Sequence, residues 1–179
     1  MTVPIHLSVP SVDDMHELGR KLARLTQAGD LIVLTGELGV GKTQLAQGIG
    51  EGLDVIGAVI SPTFVLSRIH RSQVGGPMLV HVDAYRLTSR NEIDDLDLEE
   101  QMPLAVTVVE WGGRLTEHLS DDRLEVFIQY SPQLDDETRQ ISITPVGSRW
   151  DSLVVDWEQL VDRELGRDAV ADVTGDDDD

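Results

Sequence analysis

The sequence predicts an α/β domain in which helices cover both faces of a mostly parallel sheet that has antiparallel strands at its edge. Two observations support this fold class. Short apolar runs, typical of buried strands, alternate along the chain with amphipathic helical segments. The chain has 179 residues, a length at which one domain buries a sizeable core. We therefore expect one domain over residues 1–165, followed by an acidic, disordered tail over residues 166–179.

The N-terminal part of the chain is predicted to contain two strand–helix pairs. Residues 5–9 form the first strand. Ser11 is the expected N-cap of the helix that follows, because acidic residues occupy its first turn. The apolar face of this helix comprises Met15, Leu18, Leu22 and Leu25. A second strand at residues 31–35 leads through a glycine-rich turn into a helix at residues 43–53.

The C-terminal part adds further predicted strands and two predicted helices. The strands lie at residues 65–69, 78–82, 104–109, 123–130 and 139–144. The last two alternate in polarity and are expected to pair as a hairpin at a sheet edge. Ser89 and Glu92 have the spacing of a capping box, which predicts a short helix ending near residue 100. Apolar spacing predicts a last helix at residues 150–165.

The glycine-rich turn at residues 36–43 reads G-E-L-G-V-G-K-T and matches the phosphate-binding pattern G-x-x-x-x-G-K-[ST]. Its glycines allow backbone N–H groups to approach phosphate oxygens. Lys42 supplies a cation for the β- and γ-phosphates, and the Thr43 hydroxyl is a ligand for Mg²⁺. A strand–helix turn without a ligand is the alternative. Because a strand precedes the motif and a helix follows it, the sequence favours a P-loop NTPase domain that binds ATP and Mg²⁺.

Two acidic residues follow other predicted strands. Glu110 comes after the apolar run 104–109, where an acid in P-loop proteins reaches the magnesium shell; a solvent-facing strand end is the alternative. Asp83 follows the strand at 78–82 and could hold a metal-bound water or orient the attacking water, although spacing alone equally allows an ordinary salt-bridged strand end. Ligands of parallel sheets bind at the carboxyl ends of strands, so we expect both acids to share one edge with the P-loop.

The segments beside these acids contain further candidates. Alternation places His81, Asp83 and Tyr85 on one side if the strand continues. Metal ligation by His81 is disfavoured because Mg²⁺ prefers oxygen, and Arg86 could stabilise charge on a transferred phosphoryl group. The loop at residues 61–64 could sense the γ-phosphate, although these residues alone slightly favour a rigid proline turn.

Composition and absent motifs exclude several function classes. The formal net charge of −19 argues against broad, independent binding to nucleic acid. The chain has no cysteine, which excludes disulfides and thiolate chemistry. No apolar run is long enough to span a membrane and no secretory signal pattern is present, so we expect a cytoplasmic protein. No ABC signature, guanine-reading motif or arginine-rich lid is visible, which disfavours transporter ATPases, Ras-type GTPases and small-molecule kinases.

Four segments together resemble the TsaE (YjeE) family, small P-loop ATPases of bacterial tRNA threonylcarbamoyladenosine biosynthesis. They are G-E-L-G-V-G-K-T at 36–43, S-P-T-F at 61–64, H-V-D-A-Y-R at 81–86 and V-V-E-W at 108–111. Their order and spacing are similar to those of the family over residues 13–143. This combination is far more specific than the P-loop motif by itself, while the chain after residue 144 lies outside the shared motifs.

The resemblance implies a set of site residues. The nucleotide would be bound by Glu37, Leu38, Gly39, Val40, Gly41, Lys42, Thr43, Gln44, Thr63 and Trp111. Lys42, Asp83 and Glu110 would be catalytic, and Mg²⁺ would be held by Thr43 and Glu110. Thr63 would belong to a switch-like loop. Gln44 departs from the family pattern, in which a second small hydroxyl residue is common.

The resemblance also implies partners. The family acts with a two-protein synthase complex that transfers threonylcarbamoyl to the adenosine next to the anticodon of certain tRNAs. The ATPase is not itself the transferase; it resets or activates the synthase, and tRNA contact is expected only through the partners. Two alternatives stay open at this point. One is an ATP-dependent assembly switch without essential hydrolysis, and the other is a small-molecule kinase with Asp83 as its base.

Overall fold

Seven strands form one mixed sheet in the computed structural model, which describes residues 4–131 and 137–151. The strands are β1 (Ile5–Val9), β2 (Leu31–Gly36), β3 (Ser67–His70), β4 (Met78–Asp83), β5 (Ala105–Glu110), β6 (Arg123–Tyr130) and β7 (Arg139–Val146). The helices are α1 (Val12–Leu25), α2 (Lys42–Gly52), α3 (Arg90–Asp94), α4 (Leu98–Gln101) and α5 (Ser148–Asp151). The α/β fold class is thereby confirmed.

The sheet is parallel at its centre and antiparallel at its edges, in the order β1-β7-β6-β2-β5-β4-β3. Strands β6, β2, β5 and β4 are neighbours and run parallel. Strands β7 and β3 run against their neighbours. The predicted antiparallel pairing of β6 with β7 is confirmed, but this pair is not itself the edge. Strand β1 covers β7, and β6 is hydrogen-bonded to β2 in the interior of the sheet.

Helices cover both faces of the sheet, as predicted. On one face, α1 and α2 pack over strand residues such as Ile32, Leu34 and Val108. On the other face, the short helices α3 and α4 cover residues such as Val33 and Val109. Neighbouring strand residues therefore belong to opposite core clusters, which explains why the central strands are apolar without alternation.

The contact between α1 and α2 depends on glycines. A Cβ atom added to Gly19 would lie 2.7 Å from the Gly48 backbone, and one added to Gly48 would overlap the backbone of His16. The two helix backbones therefore touch with no side chain between them. This contact fixes the helix that begins at the P-loop.

Three predicted elements differ from the observed ones for local reasons. The predicted acidic helix is broken, because Asp97 adopts a left-handed φ of 52° between α3 and α4. Strand β3 begins only at Ser67, since Leu66 has a φ of 67°. Strand β5 begins at Ala105, after a 3₁₀ turn that contains Pro103. Left-handed residues and the turn thus set boundaries that apolar pattern alone did not predict.

The C-terminal part is described only in part. The last helix was predicted to begin at Trp150, but α5 begins two residues earlier, at Ser148, and Trp150 is fully buried in the same core cluster as residues of α1 and α2. The remainder of that helix, the domain boundary at residue 165 and the acidic tail lie outside the described residues. Within the described ranges, no helix is long and apolar enough to cross a membrane.

Candidate nucleotide-binding site

The P-loop and the two predicted acids meet at the carboxyl end of the sheet. Residues 36–43 connect β2 to α2, Asp83 ends β4 and Glu110 ends β5. The parallel register places Glu110 directly between Asp83 and Leu34. The predicted common edge is confirmed. A cleft of about 280 Å³ opens there, lined by Leu38, Gly39, Gly41, Lys42, Thr43, Gln44, Ser61, Thr63, Asp83, Tyr85, Glu110 and Trp111.

The P-loop backbone has the conformation that an anion cradle needs. Gly36, Gly39 and Gly41 have φ angles of 142°, 79° and 115°, which L side chains rarely adopt. No side chain caps the N-terminus of α2, so its first backbone N–H groups remain for a ligand. The positive end of the helix dipole points into the same place, which favours phosphate.

Lys42 lies in the cleft with its ammonium group held by three neighbours. Its Nζ donates to the carbonyl oxygens of Gly36 at 2.9 Å and Glu37 at 2.7 Å. It also lies 3.7 Å from the centroid of the Trp111 ring system, a cation–π contact. Burial lowers the pKa of Lys42, while the charges of Glu110 and Asp83 act in the opposite direction. The cation is thus oriented before any phosphate arrives.

Glu110 and Thr43 form the candidate metal site. The Thr43 hydroxyl donates to both carboxylate oxygens of Glu110, at 2.9 and 3.0 Å. Among the described residues, no group of three or more His, Cys, Asp or Glu side chains could hold a metal by itself. This donor set fits Mg²⁺, which takes oxygen ligands and usually relies on one or two protein groups together with waters and substrate phosphates.

Asp83 anchors the loop that the sequence analysis singled out. Its Oδ2 atom accepts hydrogen bonds from Thr63 at 2.6 Å and from Ser61 at 3.1 Å. Its Oδ1 atom accepts from the backbone N–H of Tyr85 at 3.0 Å. Because both loop hydroxyls bind the same carboxylate oxygen, the loop at residues 61–64 is tied directly to the cleft.

Trp111 closes the cleft next to Lys42. Its φ of 62° is unusual for a bulky residue, and its backbone N–H donates to the carbonyl oxygen of Leu34 at 2.8 Å. The rings of Trp111 and Tyr85 lie 5.0 Å apart. The site residues predicted from the sequence did not include Tyr85 or Ser61, which also line the cleft. The alternation of His81, Asp83 and Tyr85 was the available signal for Tyr85.

Some predicted residues do not line the cleft with their side chains. Val40 is buried and Glu37 is exposed, and neither lines the cleft, so we expect both to meet a ligand only through the backbone. Gln44 lines the cleft but also contacts the ring of His16, with 2.7 Å between its Oε1 and the histidine Nε2. Arg86 stacks on the ring of Phe64, with 4.7 Å from its Cζ to the ring centroid.

The region that contains this site matches one protein family. A family model with the description "Threonylcarbamoyl adenosine biosynthesis protein TsaE" matches residues 9–141. The chain belongs to the TsaE family. All the residues that line the cleft lie within the matched region, whereas α5 lies beyond it.

Curated relatives named "tRNA threonylcarbamoyladenosine biosynthesis protein TsaE" are similar to this chain over most of their length. The relative from Streptomyces coelicolor is 53% identical over 138 residues, which cover 76% of this chain and 93% of the relative. The relative from Bacillus subtilis is 36% identical over 139 residues, covering 75% and 84%. The crystal structure of Bacillus subtilis YdiB has a TM-score of 0.73 and 26% identity, covering 89% of this chain and 97% of that one.

Proposed function

We propose that this chain is a Mg²⁺-dependent ATPase that acts in tRNA threonylcarbamoyladenosine biosynthesis, on the synthase complex that transfers the threonylcarbamoyl group. The proposal rests on one observation above all: Lys42, Thr43, Asp83 and Glu110 converge on a single cleft at the mouth of the P-loop. The names of the relatives supply the pathway. The cytoplasmic location remains a prediction.

Binding of ATP would use groups that are already oriented. The backbone N–H groups of residues 37–44 and of the α2 N-terminus bind the phosphates. Lys42 exchanges its two carbonyl acceptors for β- and γ-phosphate oxygens, since a charged acceptor forms the stronger hydrogen bond. Thr63 and Trp111 also line the cleft and contact the nucleotide there.

Hydrolysis would proceed by in-line attack of water on the γ-phosphate. Thr43 and Glu110 would hold Mg²⁺, which would supply positive charge to the β- and γ-phosphate groups. Asp83 would accept a hydrogen bond from the attacking water, or from a water near the metal, once its Oδ2 atom is released by Ser61 and Thr63. We expect this release to slow turnover by the isolated chain.

An assembly switch without essential hydrolysis is the second candidate, and the same contact favours it. If ATP draws the hydroxyls of the loop at residues 61–64 away from Asp83, the loop changes shape on nucleotide binding alone. The variant Asp83→Ala separates the two candidates. If it keeps ATP and partner binding but loses tRNA modification, hydrolysis is required; if modification survives without turnover, the switch is correct.

The surface beside the loop supports binding of a protein partner. Residues 55–82 contain no Asp or Glu, although the whole chain has 33 such residues. Exposed apolar side chains of this segment are Ile56, Ile60, Phe64, Val65, Ile69 and Val74. Arg68 and Arg71 are exposed in the same segment. Apolar groups with flanking cations suit an apolar protein surface that is bordered by carboxylates.

The test is ATP hydrolysis by the purified chain, alone and with the two synthase proteins and tRNA, with Mg²⁺ and with a chelator. We expect slow Mg²⁺-dependent turnover that rises with the partners, and none for Lys42→Ala. The double variant Arg68→Glu/Arg71→Glu should keep basal turnover and lose the stimulation. Lack of Mg²⁺-dependent turnover under every condition would refute the ATPase, and wild-type turnover by Lys42→Ala would refute this site.

A further inference from the structure

His81 is a polar residue in an apolar part of the sheet. It lies on β4 opposite Val108 of β5 and is completely buried. Its Nε2 atom lies 2.7 Å from Oε1 of Glu110. Its Nδ1 atom is buried and has no hydrogen-bond partner among the described residues. Burial of a polar atom without a partner is unfavourable, so packing alone does not explain a histidine here.

The contact with Glu110 determines which nitrogen carries hydrogen. An ionised carboxylate only accepts hydrogen bonds, so Nε2 of His81 must be the donor. Glu110 then receives two donors, the His81 ring on one side and the Thr43 hydroxyl on the other. The two hydrogen bonds fix the carboxylate plane, because a glutamate that accepts only from Thr43 would still rotate about its terminal torsion.

We propose that His81 is a positioning residue, whose Nε2–H holds the Glu110 carboxylate in the orientation that binds Mg²⁺ with Thr43. The inference rests on the proposed function, since it assigns His81 a role behind the metal ligand. The hydrogen bond from His81 to Glu110 resembles a general feature of metal sites. In such sites, hydrogen bonds from residues that do not bind the metal orient its ligands, and their loss lowers metal affinity about 10- to 100-fold.

The test compares two substitutions of similar size. His81→Gln keeps an N–H donor near the position of Nε2, whereas His81→Met removes it. Affinity for Mn²⁺, a paramagnetic substitute for Mg²⁺, is measured by electron paramagnetic resonance with ATP present. We expect His81→Met to weaken Mn²⁺ binding about 10-fold or more. We expect His81→Gln to restore most of that loss, and ATP affinity in the presence of a chelator to stay unchanged in both variants.

A matched control is available on the neighbouring strand. His70 is buried and its Nε2 atom also lacks a partner within the described part of the chain, but it does not contact Glu110. His70→Met should therefore leave Mn²⁺ affinity unchanged. Circular dichroism and thermal melting verify folding of each variant, and His81→Leu replaces His81→Met if the latter does not fold.

Three outcomes overturn the inference. The first is wild-type Mn²⁺ affinity in a folded His81→Met or His81→Leu protein. The second is a loss of affinity in His81→Gln as large as that in the apolar variants. The third is a loss in His70→Met as large as that in His81→Met. If none of the apolar variants folds, wild-type affinity of the Gln variant supports the inference and a 10-fold loss in it overturns the inference. Failure of the proposed function is distinct, because the wild-type protein itself would then bind Mn²⁺ no better with ATP than without it.

Discussion

At the scale of single residues, Trp111 shows how the backbone places a side chain in the site. A left-handed φ is costly for a residue with a large side chain, and here it is maintained by the hydrogen bond to Leu34. That conformation turns the indole over the Lys42 ammonium group and against Tyr85. We infer that Trp111 orients the cation for phosphate binding.

Substitution of Trp111 tests this role. Trp111→Ala removes the cation–π contact, which contributes about 0.5–2 kcal/mol, and should weaken ATP binding about 2- to 30-fold. Trp111→Phe keeps an aromatic face and should lie closer to the wild-type protein. Isothermal titration calorimetry measures both affinities. The role assigned to Trp111 is wrong if the Ala variant binds ATP as the wild-type protein does.

The residues of the site differed in how well sequence predicted them. Asp83 and Glu110 were predictable because each follows an apolar strand, and parallel strands bring their carboxyl ends together. The contact of His81 with Glu110 was not, since it depends on β4 and β5 being neighbours in a particular register. The arrangement of Trp111 over Lys42 depends on a left-handed backbone, for which apolar spacing gives no signal.

At the scale of elements, the close contact of α1 with α2 controls the position of the P-loop. Gly→Ala substitution within a helix normally stabilises it by about 1 kcal/mol. Gly48→Ala should instead destabilise the protein by about 2 kcal/mol, because the new methyl group would overlap the α1 backbone. A backbone cannot relieve this overlap by a change of side-chain rotamer, so the helices would have to move apart. ATP affinity should fall as well, since α2 would move.

Chemical denaturation and calorimetry measure these two effects. Gly76→Ala is the control, because a Cβ atom there would meet only Ser72 Oγ, at 3.4 Å, and the backbone is not left-handed. Its unfolding free energy should change by less than about 0.5 kcal/mol. A Gly48→Ala protein that is more stable than the wild type would show that helix propensity outweighs the close contact.

A second element-scale contact joins α5 to the start of β2. The Arg149 guanidinium donates to both carboxylate oxygens of Asp30, at 3.1 and 2.9 Å, and to the carbonyl oxygen of Leu25. Burial raises the pKa of Asp30, and hydrogen bonds from Gln27 and Arg149 oppose that rise. Removal of Arg149 would leave a buried carboxylate without its counter-charge.

We therefore expect Arg149→Ala to lower the free energy of unfolding by about 3 kcal/mol at neutral pH. In this variant the folded-state pKa of Asp30 lies above its unfolded value, so the folded state binds the proton more readily. The loss should accordingly shrink as the pH falls through the range in which Asp30 is protonated. Denaturation at several pH values measures it, with Asp30→Asn in both backgrounds as the control. A loss that is independent of pH would exclude this ion pair as the cause.

The central strands and the two long helices were the predictable elements, because their apolar periodicity extends over many residues. Strand order was harder to predict. Strands β6 and β7 alternate in polarity and were therefore predicted to form a hairpin at the sheet edge. In the structure, β1 pairs with β7 and forms that edge instead. A pairing between residues 130 or more positions apart leaves no local signal in either segment.

At the scale of the whole molecule, the net charge of −19 opposes the approach of ATP. Salt screens this repulsion, so the association rate with Mg²⁺–ATP should rise about two-fold between ~20 mM and ~200 mM KCl. Stopped-flow fluorescence measures the rate. An association rate that falls as salt rises would contradict this prediction. It would mean that local cations at the cleft dominate over the net charge.

The glycine contact between α1 and α2 makes one side of the cleft less able to move than the other. Two backbones in direct contact have no intervening side chain that could change rotamer, so we expect these helices and the P-loop between β2 and α2 to move together. The opposite wall of the cleft is a loop held to Asp83 by two hydroxyl groups. Under the proposed function, exchange of ATP for ADP would therefore change the loop side of the cleft, and we expect a partner to contact that side.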